Sequence, residues 1–213
     1  QVPVLVKNND LQVASHWQEY LPVMLLAFVF MIPPMLLADK KSMAKQVFLG
    51  AITLAAMAQM TLMMFHDSVL SVAISLLLFF IAFNLLEAML PALISKTAPL
   101  SAKGTAMGVY SSVQFMGAFA GATSGGFLMQ YFGGNAVLIF AIVLLISWLL
   151  VASSMLSPAA VRTNLYPLPA MDENAALFLQ NRLMQIKGVR EAMVVATEQM
   201  ASLKVETSGF DEA

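Results

Sequence analysis

Five long apolar segments separated by short polar connections constrain this chain more than any other feature. They cover residues 20–38, 46–65, 69–94, 104–132 and 136–155. About 20 mostly apolar helical residues cross a hydrocarbon layer roughly 30 Å thick, and each segment is long enough. Only 11% of the 213 residues are charged, too few to cover a water-facing surface. The sequence therefore predicts an all-α polytopic membrane bundle of about five transmembrane helices over residues 1–156.

The basic residues predict how these helices are oriented. Connections this short favour antiparallel neighbours in an up-and-down bundle. Cytoplasmic loops of membrane proteins are enriched in lysine and arginine. One side of the predicted bundle has only Lys7, and the other has Lys40, Lys41, Lys45, Lys96, Lys103 and Arg162. The lysine-rich side is therefore predicted to be cytoplasmic, and everything after Met155 lies on that side.

The composition changes after Met155, where residues 157–163 form a Pro-containing linker. Residues 164–213 predict a small α+β domain. A strand over 164–168 is followed by an amphipathic helix with Asp172 and Glu173 in its first turn and Gly188 at its end. The runs "EAMVVA" and "MASLKVE" predict a hairpin, and "SGFDEA" predicts the start of another helix. One face of the amphipathic helix contains Ala176, Leu179, Leu183 and Ile186. This order is typical of a ferredoxin-like fold that stops early.

Several classes of protein are excluded by what the sequence lacks. It has no cysteine, so disulfides, thiolate metal sites and cysteine nucleophiles are excluded. His16 and His66 belong to no metal-binding or catalytic motif, and no phosphate-binding glycine loop is found. The sequence also lacks the concentrated basic patch that would indicate a nucleic acid partner. We therefore predict a protein that is not an enzyme and has no cofactor or metal. The N-terminus lacks the pattern of a signal peptide, and we expect the chain to be a piece of a longer protein.

The segment "FNLLEAMLPALISK", residues 83–96, has a carboxylate, Glu87, inside an apolar run. A charge near the bilayer centre costs roughly 2.5–3.5 kcal/mol on insertion scales, so Glu87 is expected to face the bundle interior or a cavity. Helical spacing places Phe80, Asn84, Glu87 and Pro91 on one stripe. Two interpretations remain open. Glu87 exchanges protons or contacts substrate, or it pins two helices together. Weaker candidates for the same path are Asn84, Gln114 and Gln59.

The helix over residues 104–132 contains a regular series of glycines. Gly117, Gly121 and Gly125 are spaced at four residues, so they form a smooth stripe that another helix can approach closely. Two interpretations are compatible here, tight helix packing and a seam that slides during a conformational change. Pro91, and the pair Pro33–Pro34, are expected to kink their helices.

These features together resemble the C-terminal half of a major facilitator superfamily transporter, and the tail is similar to that of the YajR-type branch. On this resemblance the five segments correspond to helices eight to twelve of twelve. The resemblance implies proton-coupled export of small, drug-like molecules by alternating access in the bacterial inner membrane. The implied partners are membrane lipid, a small-molecule substrate, protons and the missing N-terminal half of the transporter. The alternative is a membrane-anchored sensor or scaffold, in which the helices only hold the tail domain at the membrane.

Two family motifs can be compared residue by residue. The exporter motif "G-x8-G-x3-G-P-x2-G-G" keeps all its glycines here, with Ala122 in place of proline, and it implies a gating role for Gly108, Gly117, Gly121, Gly125 and Gly126. The cytoplasmic loop motif of the family is matched only by Asp39 and Lys40, followed by Lys41. In this copy the resemblance implies a charge latch at the gate. The alternative is that the lysines only anchor the loop in the cytoplasm.

The tail domain is similar to heavy-metal-associated domains of ferredoxin-like fold, but "MDENAA" has Glu173 and Ala176 where those domains have cysteines. Soft-metal capture is therefore not supported. We expect one face of the domain to dock on the cytoplasmic loops of the transporter or on a second copy of the chain. The remaining alternative is a tethered domain without effect on gating.

Overall fold

The computed structural model describes residues 17–40, 43–65, 68–156 and 161–206 of the chain. Five long helices come first: α1 (Trp17–Lys40), α2 (Ala44–Met64), α3 (Val69–Thr97), α4 (Lys103–Phe132) and α5 (Gly134–Ser153). A short 3-10 helix, Leu100–Ala102, precedes α4 directly. The remaining elements are β1 (Val161–Pro167), α6 (Glu173–Met184), β2 (Val189–Val195) and β3 (Met200–Glu206). The predicted order, membrane helices followed by a β-α-β-β unit, is confirmed.

Four of the five helices are long and apolar enough to cross a membrane, namely α1, α2, α3 and α5. Helix α4 is the longest, at 30 residues, but its glycines, serines and threonines make it less apolar than the others. The fifth predicted span is therefore a helix of the right length whose composition falls short of the other four. Pro91 lies inside α3, and Pro33 and Pro34 lie inside α1.

The chain divides into two compact units, and the first contains α1, α2, α5 and the larger parts of α3 and α4. It consists of Gln1–Leu90 and Val113–Ser157. Its core is a cluster in which α2, α3 and α5 meet, formed by Leu62, Val72, Leu76 and Leu138. The Phe48 ring of α2 also packs edge-to-face on Trp148 of α5, with ring centroids 5.7 Å apart. No side chain of α4 is buried in the described part of the chain. The core thus excludes α4.

The second unit, Pro91–Ser112 with Pro158–Ala213, contains an antiparallel sheet of three strands in the order β1-β3-β2. Leu203 in the central strand β3 lies opposite Asn164 of β1 and Ala192 of β2. The sheet core is formed by Ala192, Leu203 and Val205, and Tyr166, Leu183 and Val189 pack against it. Helix α6 packs against β2, where the backbone N–H of Val194 donates to Gln180 Oε1 at 3.2 Å. One face of the sheet is therefore covered by α6.

The local signals around α6 are mostly confirmed. Asp172 is the N-cap, and its Oδ1 accepts a hydrogen bond from the Ala175 N–H at 3.1 Å. The helix ends at Met184, before the predicted end at Gly188, where a φ of +92° turns the chain into β2. Ile186 consequently lies outside the helix and is 46% exposed, so its predicted place on the apolar face is wrong. The strand predicted over residues 164–168 is observed as β1, which begins and ends earlier in the chain, at Val161 and Pro167. The predicted helix start at Ser208 lies outside the described residues.

The polar face predicted for β3 differs from the structure. Leu203 and Val205 alternate with Lys204 and Glu206, the pattern of a half-buried strand. Glu206 is half-exposed, as that pattern predicts, whereas Lys204 is only 7% exposed. Lysine is almost never so deeply buried without a partner. Something therefore covers the face of the sheet that lies opposite α6.

Candidate functional site

The carboxylate of Glu87 lies on the open surface of α3. Asn84, one turn before it, and Pro91, one turn after it, are half-buried, whereas Glu87 is exposed. Phe83 beside it is 48% exposed. The described helices thus bring Asn84 and Glu87 onto neighbouring positions of α3 but do not enclose the acid. That Glu87 faces an interior therefore stays a prediction.

A cavity of about 170 Å³ lies in the helical unit between α2, α3 and α5. Gln59 and Ser75 are its polar lining residues, and the rest of the lining is apolar. Ser75 is 2% exposed, and its Oγ donates to the carbonyl oxygen of Ser71 in the same helix at 2.8 Å. The apolar lining consists of Ala58, Leu62, Leu76, Phe79, Phe80 and Leu138. Gln59 therefore lies at a site between packed helices rather than beside Glu87.

Sequence reasoning missed Ser75 as a cavity residue. A single serine in an apolar helix does not indicate a cavity, because its hydroxyl can donate a hydrogen bond to the backbone carbonyl one turn earlier in the same helix. Its position relative to Gln59 depends on how α2 and α3 pack, which is a tertiary contact. The stripe predicted on α3 did contain Phe80, which links the cavity lining to Asn84 one turn further along the helix.

Helix α4 presents its glycines to open space. A Cβ built at Gly117 or Gly121 has no described atom within 4 Å, and at Gly125 the nearest is Val137 Cγ1 at 3.9 Å. The same open space surrounds Gly108 and Gly126. Gln114 is exposed and precedes Gly121 by seven residues, which places the two on one face of the helix. This glycine face, Gln114 with Gly117, Gly121 and Gly125, is open at Gly117 and Gly121 and comes near α5 at Gly125.

The residues of the cytoplasmic loop motif lie at the end of a helix. Helix α1 continues through Asp39 and Lys40, so these two residues form its last turn rather than a loop. Their side chains, and the whole of Lys41, lie outside the described residues. The charge latch at these three positions stays a prediction.

Comparison with known proteins identifies what the chain resembles. The family model described as Major Facilitator Superfamily matches residues 20–197. The inner membrane transport protein YajR of Escherichia coli (strain K12) is 38% identical over 207 residues, 97% of this chain and 45% of YajR. An uncharacterized transporter of Buchnera aphidicola subsp. Baizongia pistaciae (strain Bp) is 40% identical over 86 residues, 40% of this chain and 22% of the relative. The chain thus spans less than half the length of either relative.

Proposed function

Because this chain belongs to the major facilitator superfamily, we propose that it is part of a proton-coupled transporter that exports small, drug-like hydrophobic molecules. It is a multi-pass protein of the bacterial inner membrane, like the transport protein YajR to which it is similar over nearly its whole length. The transport cycle proposed here is alternating access, in which two sets of helices rock around a central path.

The exposed position of Glu87 is the observation that best supports a path along α3. The side chain lies on the surface of a helix that is long and apolar enough to span the membrane. A carboxylate facing lipid at this depth costs roughly 2.5–3.5 kcal/mol, and such residues face a bundle interior or a water-filled cavity instead. The open surface around Glu87 is therefore the wall of the proposed path. In this role Glu87 binds and releases the coupled proton, and Asn84 contributes an amide to the same wall.

The glycine face of α4 supports a moving contact on the same path. On one side of this helix Gln114 is exposed, and Gly117 and Gly121 have open space in the described chain, whereas Gly125 lies near Val137 of α5. A smooth helix face lets another backbone approach closely and slide. The chain covers 45% of YajR, and we propose that helices from the part of the transporter beyond this match face both Glu87 and the glycine face.

The test is proton-coupled transport by the full-length protein in proteoliposomes. A pH-sensitive dye inside the vesicles reports proton movement when each member of a panel of hydrophobic cations is added. Wild-type protein is expected to move protons with at least one cation. Glu87→Gln keeps the shape of the side chain but cannot exchange a proton, so it is expected to abolish coupled proton movement. Glu198→Gln, which removes an exposed acid in the β2–β3 turn, serves as the matched control.

Three outcomes would contradict parts of the proposal. Absence of any cation transport across the whole panel would favour the alternative of a membrane-anchored scaffold. Transport that ignores both the pH gradient and Glu87→Gln would indicate a facilitator without proton coupling. Full coupling in Glu87→Gln would leave Glu87 as a structural residue that joins two helices.

A further inference from the structure

Lys204 lies at the centre of the sheet face opposite α6, which we call the outer face. Leu203 and Val205 face the other way and belong to the core beneath α6. Only 7% of the surface of Lys204 is exposed, although α6 packs on the other face of the sheet. An ammonium group removed from water to this extent requires a hydrogen-bond partner. The structure provides one from a part of the chain more than 100 residues away.

The partner of Lys204 is the end of α3. The Nζ atom donates to the carbonyl oxygen of Ala98 at 2.9 Å, and Ala98 directly follows Thr97, the last residue of α3. The last carbonyl groups of a helix accept no hydrogen bond from within the helix, and they form the negative end of its dipole. A buried cation is therefore matched to this position by charge as well as by distance. Ala98 itself is 8% exposed, so the contact is enclosed.

Glu191 makes the complementary contact from the neighbouring strand. It is the cross-strand partner of Lys204 in the β2–β3 ladder, so both side chains stand on the outer face. Its Oε1 accepts a hydrogen bond from the backbone N–H of Leu100 at 2.8 Å. Leu100 begins the 3-10 helix that leads directly into α4. The first N–H groups of a helix lack internal partners and form the positive end of the dipole, where a carboxylate is favourable.

One pair of opposite charges thus binds two helix ends of opposite polarity. We propose that the outer face of the sheet is a docking site for the connection between α3 and α4, residues 98–102, and that Glu191 and Lys204 hold the adjoining helix ends at a fixed spacing. The occupant belongs to the same chain, and the recognised groups are backbone atoms. Side-chain changes in the connection therefore leave the contact intact as long as the backbone keeps its path.

This docking has a consequence for the transport cycle, and that consequence rests on the function proposed above. Helix α3 contains Glu87, and α4 contains the glycine face. A sheet domain that holds the ends of these two helices together opposes their separation when the path opens and closes. The domain then sets the rate of the conformational step while leaving the substrate-binding residues untouched. Docking itself requires no assumption about transport.

Hydrogen exchange of the full-length protein tests the docking. Lys204→Met keeps the length of the side chain but removes the hydrogen bond to the Ala98 carbonyl, which holds the connection on the sheet. A hydrogen bond to a charged group typically contributes a factor of about ten or more. The nearby Leu100 amide is therefore expected to exchange about tenfold faster or more. Glu191→Gln is expected to act in the same direction on the same amide. Two control variants remove exposed charges from the same domain: Lys187→Met removes a positive charge, like Lys204→Met, and Glu198→Gln removes a negative charge, like Glu191→Gln. Both controls are expected to leave the exchange of the Leu100 amide unchanged.

The amides of β3 show whether each variant is folded. If Lys204→Met also loses protection in β3, the outcome is taken from Glu191→Gln, whose side chain is only half-buried. Unchanged exchange at Leu100 in a variant with a protected β3 would overturn the docking role of that residue. Unchanged exchange in both folded variants would overturn the proposal.

Transport kinetics test the consequence separately. With docking weakened, the maximal transport rate is expected to change by about fivefold, the lower end of typical coupling between sites, while the KM for the exported cation stays the same. A changed KM, or an unchanged rate in variants whose Leu100 amide has become labile, would overturn the link to the cycle. If the wild-type protein transports nothing, the function proposed above fails, whereas the exchange result still decides the docking.

Discussion

The sheet unit and the helical unit of this chain differ in how far their apolar side chains are exposed. In the sheet, Leu203 is 5% exposed and Val205 is 3% exposed, and both lie beneath α6. In α4, Phe115 is 74% exposed and Phe119 is 75% exposed. The sheet thus hides its apolar groups as a domain in water must. The helices display theirs, which is stable only where lipid or further helices cover them.

The charged side chains show the same contrast in reverse. Lys204 is nearly enclosed in the sheet unit and bonded to a helix end, whereas Glu87 is exposed on a helix long and apolar enough to span the membrane. Exposure therefore has a different meaning in the two units. An exposed residue of the sheet unit faces water, and an exposed residue of the helical unit faces whatever completes the bundle. Each prediction below tests this difference at a particular position.

The largest effect is expected from a truncation in the sheet core. Leu203→Ala removes a buried side chain from the cluster beneath α6 and is expected to destabilise the sheet unit by about 2–5 kcal/mol, the usual cost of such a cavity. Hydrogen exchange of the β3 amides in the full-length protein measures it. Leu165→Ala is the matched control, because Leu165 is 59% exposed. An equal loss of protection in both variants would mean that the outer face is as deeply packed as the core.

An intermediate effect is expected at the glycine face of α4. Gly121→Leu adds a side chain where the described chain has open space, so the thermal stability of the helical unit is expected to change little. Transport by the full-length protein is nevertheless expected to fall by about tenfold or more, because bulk on a small-residue stripe prevents close helix approach. Thr123→Leu is the control, since Thr123 is also exposed and lies on roughly the opposite side of the helix. Equal losses in the two variants would contradict a special role for the glycine face.

Much of this fold follows from local sequence patterns. The apolar segments predict the long helices because their length and hydropathy are local properties. Asp172 predicts the start of α6 because an N-cap needs only the next turn. The hairpin β2–β3 follows from two β-prone runs joined by a short turn. Ile186 marks the limit of this reasoning, because the helical spacing continues past the residue at which the chain turns toward Gly188.

The candidate site was less predictable, because its geometry depends on contacts distant in the sequence. The position of Glu87 in an apolar run is visible in the sequence, but the group it faces depends on helices that pack around α3. Lys204 shows the same limit from the other side. Its alternation with Leu203 predicts a face open to water, and only the fold reveals that Ala98 and Leu100, about 100 residues earlier, cover that face.

The smallest effect is expected at a charge pair that the sheet unit leaves in water. Arg190 Nε donates to Glu206 Oε1 at 2.8 Å, and the two side chains are 55% and 41% exposed. Exposed pairs contribute about 0.2–1 kcal/mol in double-mutant cycles. A double-mutant cycle with Arg190→Met and Glu206→Gln, followed by β3 amide exchange, is therefore expected to give a coupling between the two side chains of less than about fivefold. This coupling is expected to become smaller in high salt.

The same cycle also separates a water-facing charge from a covered one, since Arg190 precedes Glu191 in β2. If screening by salt removes the Arg190–Glu206 coupling but leaves the Leu100 amide protected, the two charged contacts of this strand lie in different surroundings, as their exposure indicates. A coupling at Arg190–Glu206 that is as large as the effect of Glu191→Gln, and equally insensitive to salt, would show that exposure does not distinguish the two. The comparison between covered and open surfaces would then fail within a single strand, where the matched positions make it most direct.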